Sequence, residues 1–151
     1  MKAWRVAKEP FAALDGEGAR LYGGRWNSPG RPLIYAAAHL SLALIEMLVR
    51  LPSGDMPDDY VQFEIAIPDD VATESPSDLP GAPAPGSSSS RGYGDTWLAE
   101  RRTAVLLVPA VTVPQEHNVL INPLHPDARR ITHTAPDPVV WDQRLFQRRM
   151  R

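Results

Sequence analysis

Apolar and polar positions alternate most cleanly from Val61 to Ile67, where Val61, Phe63, Ile65 and Ile67 share one face and Gln62 and Glu64 the other. A period of two predicts a half-exposed strand. Short apolar runs predict further strands at Trp4–Ala7, Leu33–Ala36, Val105–Val113 and Val119–Ile121, with another near Val139–Trp141. Pro109 inside the Val105–Val113 run implies an edge or a bulge. Leu40–Leu51 is built instead from strong helix formers, and Pro52 gives it a natural stop. Leu42, Ala43, Leu44, Ile45, Met47, Leu48 and Val49 leave only Glu46 and Arg50 charged, so this helix is expected to be buried on most faces. Asp95 is the expected N-cap of a short helix through Arg102, with Trp97 on its buried side. Ala12–Arg20 reads as a loop, and the glycines and prolines of Tyr22–Pro32 predict a tight, preorganised turn. From Glu74 to Gly94, Pro, Gly, Ala and Ser dominate, which predicts a mobile surface excursion at about residues 74–94. Short strands with few helices between them predict one compact α+β domain over residues 1–151, built on a mixed sheet.

Composition narrows the class. The 151 residues suit a single domain, and the formal charge of −2 gives no global basic field to hold nucleic acid. The basic residues at the C-terminal end are too few to drive strong phosphate binding. With no cysteine there are no disulfides or thiolate metal sites. No signal pattern opens the chain and no apolar run is long enough to span a bilayer, so a soluble, cytoplasmic protein is expected. The 16 prolines favour short strands and ordered loops over a helical bundle.

Candidate chemistry concentrates between Gly23 and Leu51. A carboxylate among apolar neighbours is costly unless paired or used, so Glu46 is either a helix-surface partner of Arg50, four residues on, or a functional group. Arg25 lies in a glycine-rich turn where a guanidinium can fork a phosphate, or where it simply stabilises the loop. Tyr35, Trp26, Trp97 and Trp141 are packing aromatics by default, and Arg5 alone is a surface charge. Several signatures are absent. Gly16-Glu17-Gly18 is followed by Leu21 where a dinucleotide fingerprint needs glycine, and there is no phosphate-loop lysine pattern. His39, His117, His125 and His133 lack metal-ligand spacing, so no metal is expected. Ser87–Ser90 lies in the expected flexible run, without a fixed base partner for a nucleophile.

Taken together, these residues resemble the RES-domain family, the toxin component of a bacterial toxin–antitoxin pair. The resemblance rests on Gly-Glu-Gly-Ala-Arg-Leu-Tyr-Gly-Gly-Arg-Trp-Asn-Ser-Pro-Gly at Gly16–Gly30, on Leu33–Ala36 and on Leu42–Val49. It continues in Gly94–Leu98, Leu106–Pro109, Asn118–Pro123 and His125–Asp127, and so runs from about Trp4 to Phe146. It implies a fold similar to ADP-ribosyltransferase toxin cores and NAD as substrate, cleaved at the nicotinamide–ribose bond. The acceptor would be water, phosphate or a cellular protein. It places Arg25, Tyr35 and Glu46 as catalytic and Arg5, Arg25, Trp26, Asn27, Tyr35, Ala110 and Asn118 around the ligand. It also implies a cognate Xre-like helix-turn-helix antitoxin as partner, with no nucleic acid or membrane bound directly. One departure stands out: family members commonly carry serine where this chain has Ala110. Losing such a hydroxyl removes a hydrogen bond of about 0.5–1.5 kcal/mol, which predicts a slower enzyme. The alternative is a weakened or inactive module that serves mainly to bind its antitoxin; Ala110 favours it, while intact Arg5, Arg25, Tyr35 and Glu46 oppose it.

Overall fold

The computed structural model describes residues 1–52, 54, 56–76 and 87–147. They form an α+β domain around one mixed sheet of eight strands. In chain order these are β1 (Lys2–Lys8), α1 (Glu17–Tyr22), β2 (Ile34–Ala37), α2 (Leu40–Leu48), β3 (Tyr60–Ala66) and β4 (Thr73–Glu74). Then come α3 (Ser88–Glu100), β5 (Val105–Pro109), β6 (His117–Ile121), β7 (Thr132–His133) and β8 (Asp137–Pro138). The strand order is β4-β5-β6-β2-β1-β3-β7, with β8 also pairing β3. Among the described residues only the short β4–β5 pair is parallel.

Period-two alternation sorts the side chains of the central strands onto two faces. Ile34 and Ala36 of β2, Val105 of β5, and Val119 and Ile121 of β6 pack with Phe63 and Ile65 of β3 in one apolar cluster. The intervening Leu106, Val108 and Leu120 meet Trp26, Leu33, Trp97 and Leu98 on the other face. Val61, Phe63, Ile65 and Ile67 are all buried, as their alternation requires.

The ladders differ greatly in length. β1 pairs β3 at seven positions, from Lys2↔Ala66 to Lys8↔Tyr60. It pairs β2 at Trp4↔Ala37 alone. Where that ladder stops, an Arg5 Nη1 donates to the Tyr35 carbonyl at 2.9 Å and bridges the two strands.

Five expectations need correction. Ala12–Arg20 is not all loop, because Glu17 starts α1. The helix near Trp97 begins seven residues before Asp95; Ser87 caps it, its hydroxyl accepting from the Ser90 N–H. The excursion placed at about 74–94 is therefore narrower: Thr73–Glu74 join the sheet, Ser88 onward is helical, and residues 77–86 lie outside the described ones. α2 ends at Leu48, and only Leu42 and Ala43 within it are fully buried, while Ile45 is exposed. Its apolar composition misled because a helix laid on one sheet face buries one stripe whatever the others carry. In the tail the strand pairing falls on Thr132–His133 and Asp137–Pro138, ahead of Val139.

Packing explains why a serine- and glycine-rich segment is helical. Gly94 sits so close to the glycine turn that a Cβ there would lie 1.7 Å from the Trp26 carbonyl oxygen. Gly92, one helical face away, would meet nothing within 4 Å. Gly94→Ala is thus expected to destabilise the fold by about 1–3 kcal/mol through overpacking. Gly92→Ala is expected to stabilise it by up to about 1 kcal/mol through helix propensity. Thermal unfolding of the two variants checks this, with midpoints moving in opposite directions.

Candidate active site

The glycine turn between α1 and β2 is held from inside by Asn27, which is fully buried. Its Nδ2 donates to the Ala19 and Arg31 carbonyls, each at 2.9 Å, and its Oδ1 accepts from the Tyr35 hydroxyl at 2.7 Å. That hydroxyl in turn accepts from the Trp26 N–H at 3.1 Å. A Cβ on Gly24 would lie 2.5 Å from the same hydroxyl, so the turn needs glycine to let Tyr35 in. Burial pushes the Tyr35 phenol up to about 12, which keeps it a protonated donor.

α3 grips the turn from outside. Ser90 Oγ donates to the Arg25 carbonyl at 2.6 Å, and Arg91 Nε donates to the Gly24 carbonyl at 3.2 Å. The Asp95 carboxylate accepts from the Ser28 N–H at 2.8 Å and from the Ser28 hydroxyl at 2.5 Å. Ser90 is fully buried and fixed, the reverse of the mobile serine run expected from composition.

This scaffold faces a cleft of about 370 Å³, within the usual range for small-molecule sites. Arg5 from β1, Arg25 and Trp26 from the turn, Tyr35 from β2, Glu46 and Arg50 from α2 and Asn118 from β6 all line it. A smaller recess of about 100 Å³ continues from it, sharing Arg5, Tyr35, Glu46, Arg50 and Asn118 and adding Trp4 and Met47. Two residues assigned to the ligand stand outside both walls: Asn27 serves the turn, and Ala110 is buried against Val6, Leu42 and Ala43.

The electrostatics of the cleft favour an anion. Arg5 is largely buried; burial holds its guanidinium below the usual arginine value, offset in part by Asp15. Its Nε is buried without a hydrogen-bond partner. A desolvated cation lacking a carboxylate contact is costly, and an anionic ligand would offset that cost. Among the described residues the side chains of Arg25 and Arg50 also form no ion pair, so three cationic groups line the cleft with one carboxylate. The helix-surface pair between Glu46 and Arg50 does not form. Glu46 instead accepts from the Thr112 hydroxyl at 2.7 Å.

Arg50 and Thr112 were not singled out as site residues by the sequence. The spacing of Arg50 from Glu46 pointed to a pair, and Thr112 is 66 residues from its partner, with no local pattern to mark it. Among the described residues no group of histidines and carboxylates is placed to hold a metal, and no helix is long and apolar enough to cross a membrane.

A family model described as the RES domain matches residues 2–142. The chain is 40% identical over 155 residues to the Prs ADP-ribosylating toxin of Sphingobium sp., with 96% of each chain covered. It is 37% identical over 143 residues to Toxin Res of Photorhabdus laumondii, covering 89% of this chain and 90% of that one. In structure it is similar to a chain of the Mycobacterium tuberculosis MbcT–MbcA toxin–antitoxin complex, with a TM-score of 0.66. That likeness covers 91% of this chain and 83% of the other at 19% identity, and shows the fold.

Tyr35→Phe leaves the Trp26 N–H and the Asn27 Oδ1 short of a partner and is expected to cost about 1–3 kcal/mol. Its pH signature has a definite sign. The folded phenol is raised from 10.0 to about 12, so its contribution is complete below pH 10 and is lost as the pH climbs toward 12. Tyr93, also raised to about 12 by burial and by Glu74, adds a like contribution. Denaturant midpoints across this window should fall for the wild type, and fall less steeply for Tyr35→Phe.

Proposed function

The chain belongs to the RES domain family, and from that premise we propose that it is the toxin of a bacterial toxin–antitoxin pair, consuming NAD by cleaving the nicotinamide–ribose bond. The observation that carries this reading is the gathering of Arg5, Arg25, Tyr35 and Glu46, from four separate elements, on one cleft. Breaking the glycosidic bond sends its electron pair to the nicotinamide ring, which leaves neutral, and builds positive charge on the ribose. The Glu46 carboxylate stabilises that charge. Arg5 and Arg25 pair with the pyrophosphate oxygens, which supplies the anion their environment lacks. The Tyr35 ring packs against nicotinamide while its hydroxyl stays tied to the turn. An acceptor oxygen or nitrogen then bonds to the ribose carbon and releases its proton.

Water, phosphate and a protein side chain are all competent acceptors. The name of the Sphingobium relative, an ADP-ribosylating toxin, favours a protein side chain. The cognate partner is an Xre-like helix-turn-helix antitoxin whose other end covers the cleft. Exposed Phe11, Tyr22 and Val111 around the opening give such a segment apolar contacts. The site of action is the cytoplasm.

Incubation with labelled NAD, with and without phosphate and cell lysate, tests the reading. Label fixed on one protein band identifies transfer, and free ADP-ribose or its phosphate identifies degradation. NAD left intact under every condition sinks the proposal. Glu46→Gln is expected to lower kcat by roughly 100- to 1,000-fold with little change in KM. Arg25→Ala is expected to act mainly on KM. Growth arrest on expression should disappear with Glu46→Gln.

A further inference from the structure

Glu46 sits on α2 with three side-chain torsions to fix, and among the described residues its carboxylate makes one hydrogen bond, from Thr112. Arg50 lies one helical turn away and forms no ion pair with it. A glutamate left to its own rotamers points at a reacting ribose only part of the time, and ordering it has an entropic cost. What orients it must come from outside the helix.

Thr112 belongs to the connection between β5 and β6. That connection is closed by the Ala110 N–H donating to the Glu116 carbonyl and the Glu116 N–H donating to the Val113 carbonyl, each at 2.9 Å. Its base is fixed by Ala110, buried against Leu42 and Ala43 of α2 itself. The β-branched threonine has few χ1 choices, so a fixed backbone fixes its hydroxyl. At 2.7 Å the contact has the length of a charge-assisted hydrogen bond to a carboxylate. It engages Oε1 and leaves Oε2 without a partner, on a residue that lines both parts of the cleft.

We infer that Thr112 is the positioning residue of the site: its hydroxyl holds Oε1 so that Oε2 of Glu46 is presented to the ribose. With no hydroxyl at Ala110, Thr112 is the group that reaches the glutamate. This rests on the reading of Glu46 as the group that stabilises the ribose charge. Thr112 is absent from the lining of both parts of the cleft; it acts through Glu46.

The experiment compares nicotinamide release by wild type, Thr112→Val, Thr112→Ser, Glu46→Gln and the Thr112→Val/Glu46→Gln pair, with thermal midpoints recorded alongside. Thr112→Val keeps the shape and removes the hydroxyl; kcat should fall about ten- to a hundredfold, the scale of one hydrogen bond to a charged group, with KM for NAD unchanged. Thr112→Ser should retain most of the activity. On a Glu46→Gln background Thr112→Val should remove nothing further, because both changes act through one carboxylate. Wild-type kcat in a folded Thr112→Val protein overturns the inference. So does an equal loss in Thr112→Ser, or a full additional loss on the Glu46→Gln background. If Glu46→Gln is inactive while Thr112→Val is not, only this inference falls; if the wild type leaves NAD intact, the functional reading falls with it.

Discussion

The cleft exists because β1 and β2 stay together at one register pair and then part. A full antiparallel ladder sets neighbouring strands about 4.8 Å apart and leaves no space between them. Here the ladder ends at Trp4↔Ala37, and Arg5 bridges the gap to the Tyr35 carbonyl with its side chain. A backbone bond is thereby replaced by a charged one. The group that ties the two strands across the gap is the same group that makes the opening attractive to an anion. Its long ladder with β3 lets β1 tolerate the loss on its other side.

Rigidity in the glycine turn follows a similar economy. Asn27 satisfies carbonyls of α1 and of the turn itself, while α3 fixes Gly24, Arg25 and Ser28 from the far side. Among the described residues the Arg25 side chain makes no ion pair, although its backbone is held. A ligand meeting such a site orders one flexible side chain and little else, which favours binding without a large entropic cost. Tyr35 joins the two halves of this arrangement, its hydroxyl in the turn and its ring on the cleft wall.

Much of this was legible in the sequence where physics is local. Alternation located β3 and the proline and glycine pattern located the turn, while charge placement left Glu46 and Arg25 with structural readings beside the functional one, which only the family resemblance favoured. What was hidden depends on partners distant in the chain. Helix α3 was missed across Ser88–Gly94 because its stability comes from Gly94 against Trp26 and Ser90 on the Arg25 carbonyl, which composition does not record. The burial of α2 was overstated because an apolar residue such as Ile45 looks the same in sequence whichever way it faces. Asn27 was placed around the ligand by the family resemblance alone, and nothing local in the sequence marked it as fully buried inside the turn. Thr112 had no signal at all.

The order of these parts along the chain has its own consequence. Arg5, Arg25, Tyr35 and Glu46 leave the ribosome before residue 51, but Ser90, Asp95, Thr112 and Asn118, which secure or complete the cleft, follow much later. Domains fold as units during synthesis, from the N-terminus onward. A chain still being translated therefore displays the chemical groups without the geometry that makes them a site. Assembly of the cleft waits for the β5–β6 connection to emerge, so the early residues of the cleft gain their shared geometry only once that late segment is made.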